Sequence, residues 1–222
     1  MTPSANPSRL AKHDTCDYMN EDSLVALKDA WKYNKQKGKW RRAMGSEKIE
    51  RIERKLIAKG KIVDYYHDIV QIPNGNIATW DFIWNKGAAA VVPVTDDGKI
   101  IMVRQYRNAI DRETIEIPAG GLNTPEEPTK DAAARELEEE TGYRTDELEF
   151  LISIKTTVAF CNENIDIYVA RNLQPSKQNL DEDEYINVEI YSVDKLCEMI
   201  YAGKIEDSKT VSAILAYKNK YL

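Results

Sequence analysis

The sequence predicts an α+β or α/β sandwich, and three observations carry that expectation. Short β-rich runs separated by turn signals fill residues 61–118, one strongly periodic helix follows at 128–143, and helical periodicity returns at 193–222. Strands mixed with helices that are segregated along the chain build layered sandwiches of this kind.

The elements follow in order. After an opening with Pro3 and Pro7, the run SLVALKDAWKY places Leu24, Leu27 and Trp31 at helical spacing and predicts a short helix. The basic stretch at 35–42 reads as a solvated linker rather than a nucleic-acid contact, and Met44-Gly45 has the look of a second translation start. KIVDYYHDIVQI and NIATWDFIW flank Pro73-Asn74-Gly75, which predicts an antiparallel hairpin. GAAAVVPV and KIIMVRQYR flank Asp96-Asp97-Gly98 and predict a second hairpin with a more buried composition. An extended piece from Thr114 leads into the small-residue loop AGGLN, and ELEFLISI, IDIYVA and INVEIYSV are three further strands. The tail reads as two helices broken at Gly203.

With 42% hydrophobic and 31% charged residues, the 222-residue chain can bury a core, which excludes collagen-like and wholly disordered classes. No apolar run approaches the roughly 20 residues of a membrane-spanning helix, and the first residues lack a secretory apolar block, so a cytoplasmic location is expected. Cys16, Cys161 and Cys197 are expected to be reduced thiols. Residues 1–60 carry 14 Lys and Arg against 8 Asp and Glu, whereas residues 61–222 carry 17 against 29. An acidic body repels phosphorylated molecules, so phosphate chemistry there requires bound cations.

Residues 128–143, PTKDAAARELEEETGY, form the clearest helix. Thr129 is placed to cap it, Asp131 suits the positive end of the dipole, and Gly142 suits the left-handed C′ position. At 100° per residue, Glu136, Glu139 and Glu140 share a narrow arc, Glu138 points away, and Ala133, Ala134 and Leu137 form the docking face. Like charges 5 to 6 Å apart repel by about 3 kcal/mol per pair at an effective dielectric of 20. Taken alone, the arc is as consistent with a solvated acidic face as with a site. Oxygen-only donors of this density suit Mg²⁺ or Mn²⁺, and with only His13 and His67 in the chain a His-rich zinc site or a Ser-His-Asp triad has little support.

Gly121, Glu127, Arg135, Glu136, Leu137, Glu139, Glu140, Gly142 and Tyr143 fit G-x5-E-x7-R-E-U-x-E-E-x-G-U, where U is bulky and apolar or aromatic. This resembles the Nudix box. The wider pattern, from about Leu56 to Tyr221 through VRQYR, IEIPAG, FCNENIDIYVA and GKIEDSKT, is similar to the ADP-ribose pyrophosphatase branch of that family. Two departures stand out: one extra residue between Pro118-Ala119-Gly120 and Glu127, and Thr157-Val158-Ala159 where the branch usually has Ser-Pro-Gly.

The resemblance implies a Nudix-type α/β/α sandwich with a mixed sheet, preceded by an N-terminal antiparallel β-hairpin. It implies a hydrolase converting ADP-ribose to AMP and ribose 5-phosphate with Mg²⁺, or Mn²⁺ in its place, acting as a homodimer without membrane or nucleic-acid partners. Glu136 and Glu140 are the implied metal ligands, with Glu139 bridging or behind them and the main-chain carbonyl of Ala119 or Gly120 completing the set. Arg135 fixes the carboxylates, Glu127 assists, and Glu163 in the later loop acts as general base or additional ligand. Arg107 is the first candidate for the diphosphate, with Arg104 behind it. Glu116 orients the substrate or Arg107, or forms a plain cross-strand ion pair, Trp80 stacks on the base or packs in the core, and Cys161 is read as packing. The domain boundaries expected are 1–45 for an extension, 46–86 for a strand region serving dimerisation and base binding, and 87–222 for the hydrolase domain. Two rival readings are a hydrolase of another nucleotide sugar such as GDP-mannose, and a non-catalytic ADP-ribose sensor with a basic DNA- or protein-contacting N-terminus.

Overall fold

The computed structural model describes residues 48–180, 182 and 184–222. The expected helix from Ser23, the basic stretch at 35–42, Met44-Gly45, His13 and Cys16 lie outside the described residues. The chain divides into one unit of Met1–Ile49 with Ile72–Asn74 and another of Glu50–Gln71 with Gly75–Leu222. All the described strands and helices belong to the second unit.

Three strands come first: β1 (Glu50–Lys59), β2 (Asp64–Gln71) and β3 (Ile77–Trp84), paired antiparallel in that order. The predicted hairpin is β2–β3, in unbroken register from Asp64↔Trp84 to Gln71↔Ile77. β1 adds a third strand that the sequence conceals, because ERIERKLIAK is rich in Lys, Arg and Glu, which have low strand propensity. Arg54 pins it to β2 with two 2.7 Å hydrogen bonds to Asp68, and its guanidinium lies 3.5 Å from the centre of the Phe82 ring.

The next strands are β4 (Ala88–Pro93), β5 (Ile100–Arg107), β6 (Arg112–Glu116) and β7 (Ala119–Gly121). After α1 (Thr129–Thr141) come β8 (Tyr143–Arg144), β9 (Glu147–Lys155), β10 (Asn164–Arg171), β11 (Gln174–Pro175) and β12 (Ile186–Tyr191). Two helices, α2 (Val193–Tyr201) and α3 (Ser208–Tyr221), close the chain, and Gly203 between them has φ +67°. A mixed four-stranded sheet runs β7-β4-β10-β9 with β4 and β10 parallel, a second runs β12-β5-β6, and β8 pairs with β11.

The expected hairpin of β4 and β5 is not formed. The two strands enter different sheets and meet only at the bridge Val94↔Ile100. Both runs are apolar because both are covered, and a covered strand reads the same whichever neighbour it pairs with. On β4, Ala89 packs with Ala132 and Ala133, and Val91 with Leu137, whereas Ala90 and Val92 face the main core with Leu196 and Ile214 of α2 and α3. Helices therefore cover both faces of the mixed sheet, as an α/β/α sandwich requires.

Two details of α1 differ from expectation. Pro128 occupies the N-cap with no side-chain cap, and the Thr129 hydroxyl instead sits 2.8 Å from both Asp166 Oδ2 and Tyr168 O–H, tying the first turn to β10. Ala132 joins Ala133 and Leu137 in the buried face, while Ala134 is only half-buried. Gly142 takes the expected left-handed C-cap at φ 72°. The carbonyls at that end accept from the segment after β11: Gly142 from Ser176 N–H (2.7 Å), Glu139 from Asn179 N–H (3.0 Å) and Glu140 from the Gln178 amide (2.7 Å).

Candidate active site

The acidic face of α1 is organised around Arg135. Its guanidinium donates to Glu136 at 2.5 Å, to Glu139 at 3.0 Å and to the Gly121 carbonyl at 3.1 Å, and lies 3.6 Å from Glu127. Glu127 in turn accepts the Asn123 N–H at 2.5 Å, which holds the loop before the helix. Glu140 turns to β7 and accepts the Ala119 N–H at 3.1 Å. A Cβ at Gly120 would overlap the Glu136 carboxyl, so a side chain there would displace that carboxyl from its present position. Glu138 points away, as the spacing predicts, and accepts from Ser176.

Glu136 and Glu140 are 7% and 3% exposed. Burial pushes Glu136 up to about 7 against the pull of Arg135, and the charge of Glu139 adds to the rise. Burial also pushes Glu140 up to about 8, reinforced by the charge of Glu136 and opposed by the Ala119 N–H. Arg135 occupies the place between Glu136 and Glu139, so the predicted meeting of three carboxylates at one point is not observed. Among the described residues no three acidic, His or Cys side chains are gathered as a metal cage.

Ala119 and Gly120, against which those carboxyls lie, form one wall of a cleft of about 540 Å³. Arg107, Lys209, Ser208, Thr156, Thr157 and Glu163 contribute to its other walls, as do Lys61 and Ile62 from the turn between β1 and β2. Arg107 on β5 donates to Glu116 on β6 at 2.7 and 2.6 Å. Lys209, in the first turn of α3, also donates to Glu116, and it contacts Asp207 at 3.0 Å. Burial alone would raise the Glu116 carboxyl, but the Arg107 hydrogen bonds and the charges of Lys209 and Arg107 outweigh it and hold the group at about 2. Glu116 therefore makes a cross-strand ion pair with Arg107, and the same two bonds fix the direction of the Arg107 guanidinium.

Glu163 lines the cleft and accepts from the Thr156 hydroxyl at 2.7 Å. Arg104 does not line it: its guanidinium is taken by Glu189 on β12 at 2.7 and 3.2 Å. Trp80 stands on β3 with 46% of its surface exposed, so it is not a core tryptophan, and it too lies outside the cleft lining. Cys161 is half-buried beside the cleft loop, and Cys197 is a buried free thiol in the main core.

The NUDIX domain model matches residues 84–213. The chain belongs to the Nudix family. It is 40% identical over 166 residues to the methanol dehydrogenase activator of Bacillus methanolicus, covering 73% of this chain and 89% of that protein. It is 38% identical over 173 residues to the ADP-ribose pyrophosphatase of Bacillus subtilis, covering 75% and 93%. A crystal structure of an ADP compounds hydrolase superposes with TM-score 0.69 at 21% identity, over 78% of this chain and 94% of that one, which establishes the shared fold. The protein is a Nudix hydrolase, and the Nudix box is the stretch that places Glu136 and Glu140 behind β7.

Nudix hydrolases generally use divalent metal ions, and the donor set here fits one. Two buried carboxyls, each pushed up by burial and by neighbouring acidic charge, gain from a nearby divalent charge, and oxygen donors suit a hard cation. Two contributors escaped the sequence reading. Lys209 was visible only as part of GKIEDSKT, and a lysine in a helix gives no sign that it will be buried on a carboxylate. Glu184, in the acidic run before β12, adds its charge to the rise at both Glu136 and Glu140.

Proposed function

We propose that this Nudix hydrolase cleaves the diphosphate of ADP-ribose to AMP and ribose 5-phosphate with Mg²⁺ as its cation, Mn²⁺ serving in its place. The observation that carries the reading is the pair of buried, under-compensated carboxyls, Glu136 and Glu140, against the β7 wall of the cleft. When bound, the cation offsets the phosphate charges that repel a nucleophile and stabilises the departing phosphate. Glu136 and Glu140 would hold it, with Glu139 beside them and a carbonyl of Ala119 or Gly120 as a further donor. Arg135 keeps Glu136 and Glu139 in fixed rotamers.

Arg107, which also lines the cleft, meets the diphosphate. Glu163 accepts the proton of the attacking water as its oxygen bonds to phosphorus and the bridging P–O bond breaks. Trp80 supplies an aromatic face for adenine. Its position outside the cleft of its own chain, with Ile52, Leu56 and Ile77 also exposed on the β1–β3 sheet, supports a homodimer in which that sheet meets a second copy. The reaction is placed in the cytoplasm.

The test is a panel of ADP-ribose, GDP-mannose and other nucleotide sugars incubated with Mg²⁺, with products separated by chromatography. AMP and ribose 5-phosphate from ADP-ribose, at the highest kcat/KM of the panel, is the expected result. Preference for GDP-mannose would move the substrate, and binding of ADP-ribose without products would favour a sensor.

A further inference from the structure

Residues 156–163, which join β9 to β10, are fastened at both ends. At the start, the Thr156 hydroxyl donates to the Glu163 carboxylate at 2.7 Å. At the end, Asn162 reaches across to the main chain just beyond β3: its Oδ1 accepts the Asn85 N–H at 2.7 Å and its Nδ2 donates to the Asn85 carbonyl at 2.9 Å. One side chain thus satisfies both polar groups of a single residue, as a neighbouring strand would. Main-chain bonds continue the seam, from Ile83 N–H to Phe160 C=O at 2.7 Å and from Asn162 N–H to Ile83 C=O at 3.3 Å, around the parallel bridge Ile83↔Cys161. Asn85 is itself braced, since its Oδ1 accepts the N–H of Gly87, a cleft residue at φ +100° that a side chain would strain.

We infer that Asn162 is a positioning residue: by clasping the Asn85 main chain it fixes the peptide immediately before Glu163, so that the Glu163 carboxylate is presented to the cleft. The inference rests on the proposed role of Glu163. Asn162 is exposed and buries nothing, so its two bonds are of little use to the core. When they are lost, water replaces them and the fold persists. The geometry of Glu163 does not persist in the same way, because small misplacement of a reacting group is costly in rate and nearly silent in stability. The clasp also makes the three-stranded β1–β3 sheet the support on which the Glu163 loop rests.

The test compares Asn162→Ala, Asn162→Asp, Glu163→Gln and the double variant Asn162→Ala/Glu163→Gln in ADP-ribose hydrolysis, with melting temperature as the fold control. Asn162→Ala is expected to lower kcat about tenfold with KM within about twofold and an unchanged melting temperature. Asn162→Asp keeps the acceptor, loses the donor and falls between it and the parent. On the Glu163→Gln background, Asn162→Ala has no further effect, because it acts through Glu163. If Glu163→Gln is impaired while Asn162→Ala turns over like the parent, or if the two losses multiply, the positioning role is overturned and Glu163 keeps its own. If Glu163→Gln retains full kcat, the role assigned to Glu163 fails, and the positioning role fails with it.

Discussion

Two buried acidic centres lie behind the walls of the same cleft, Glu140 against Ala119 and Glu116 against Arg107 and Lys209, and they behave oppositely. Glu116, 1% exposed, sits between Arg107 and Lys209 and is held at about 2; Glu140, 3% exposed, accepts the Ala119 N–H and feels Lys209 at a distance, but burial and the charges of Glu136 and Glu184 outweigh both and push it to about 8. Burial is nearly equal, so depth does not distinguish them. Compensation does. The first centre is electrostatically complete and functions as a pillar between β5, β6 and α3, whereas the second is incomplete within the chain and is the one suited to an added cation.

The largest expected effect probes that incompleteness. Glu140→Gln should lower kcat by about a thousandfold in steady-state hydrolysis, yet leave the metal-free protein as stable as the parent or more so in urea unfolding. The mirror-image change at the complete centre, Glu116→Gln, strands Lys209 and Arg107 against a neutral amide and should cost about 3 to 5 kcal/mol in the same unfolding assay.

A third prediction uses pH. The Glu116 carboxyl is depressed from 4.5 to about 2 on folding, so its contribution is present above pH 4.5 and is lost as pH falls toward 2. The loss amounts to something on the order of 3 kcal/mol, and Glu116→Gln should flatten that acid limb of the stability profile. The smallest effect is at Trp80, where Trp80→Ala should raise KM for ADP-ribose about fivefold with kcat nearly unchanged, a change that touches neither centre.

The incomplete centre was far more legible in the sequence than the complete one. Glu136, Glu139 and Glu140 lie on one helix, and helical spacing alone puts them on a common arc. The Arg135 contacts to Glu136 and Glu139 follow from the same short range. Glu116 and Lys209 are 93 residues apart, and their meeting depends on how β6 and α3 pack, which no local period encodes. The same reason explains the misread pairing of β4 and β5: apolar runs around a turn signal describe burial, while the parallel partner of β4, β10, arrives after α1. β1 was hidden by its charged composition, and its register is set by Arg54 on Asp68 across the sheet. Thr129 shows the limit of capping rules, since a tertiary partner on β10 outcompeted the local backbone for its hydroxyl.

The most direct test of the central claim is to titrate Mn²⁺ into the metal-free protein and follow the free-ion EPR signal, in the parent and in Glu136→Gln/Glu140→Gln. If the two under-compensated carboxyls hold the cation, the parent depletes the free-ion signal and the double variant leaves it at the level of buffer. Equal depletion by both proteins would contradict the claim and place the cation elsewhere on the chain.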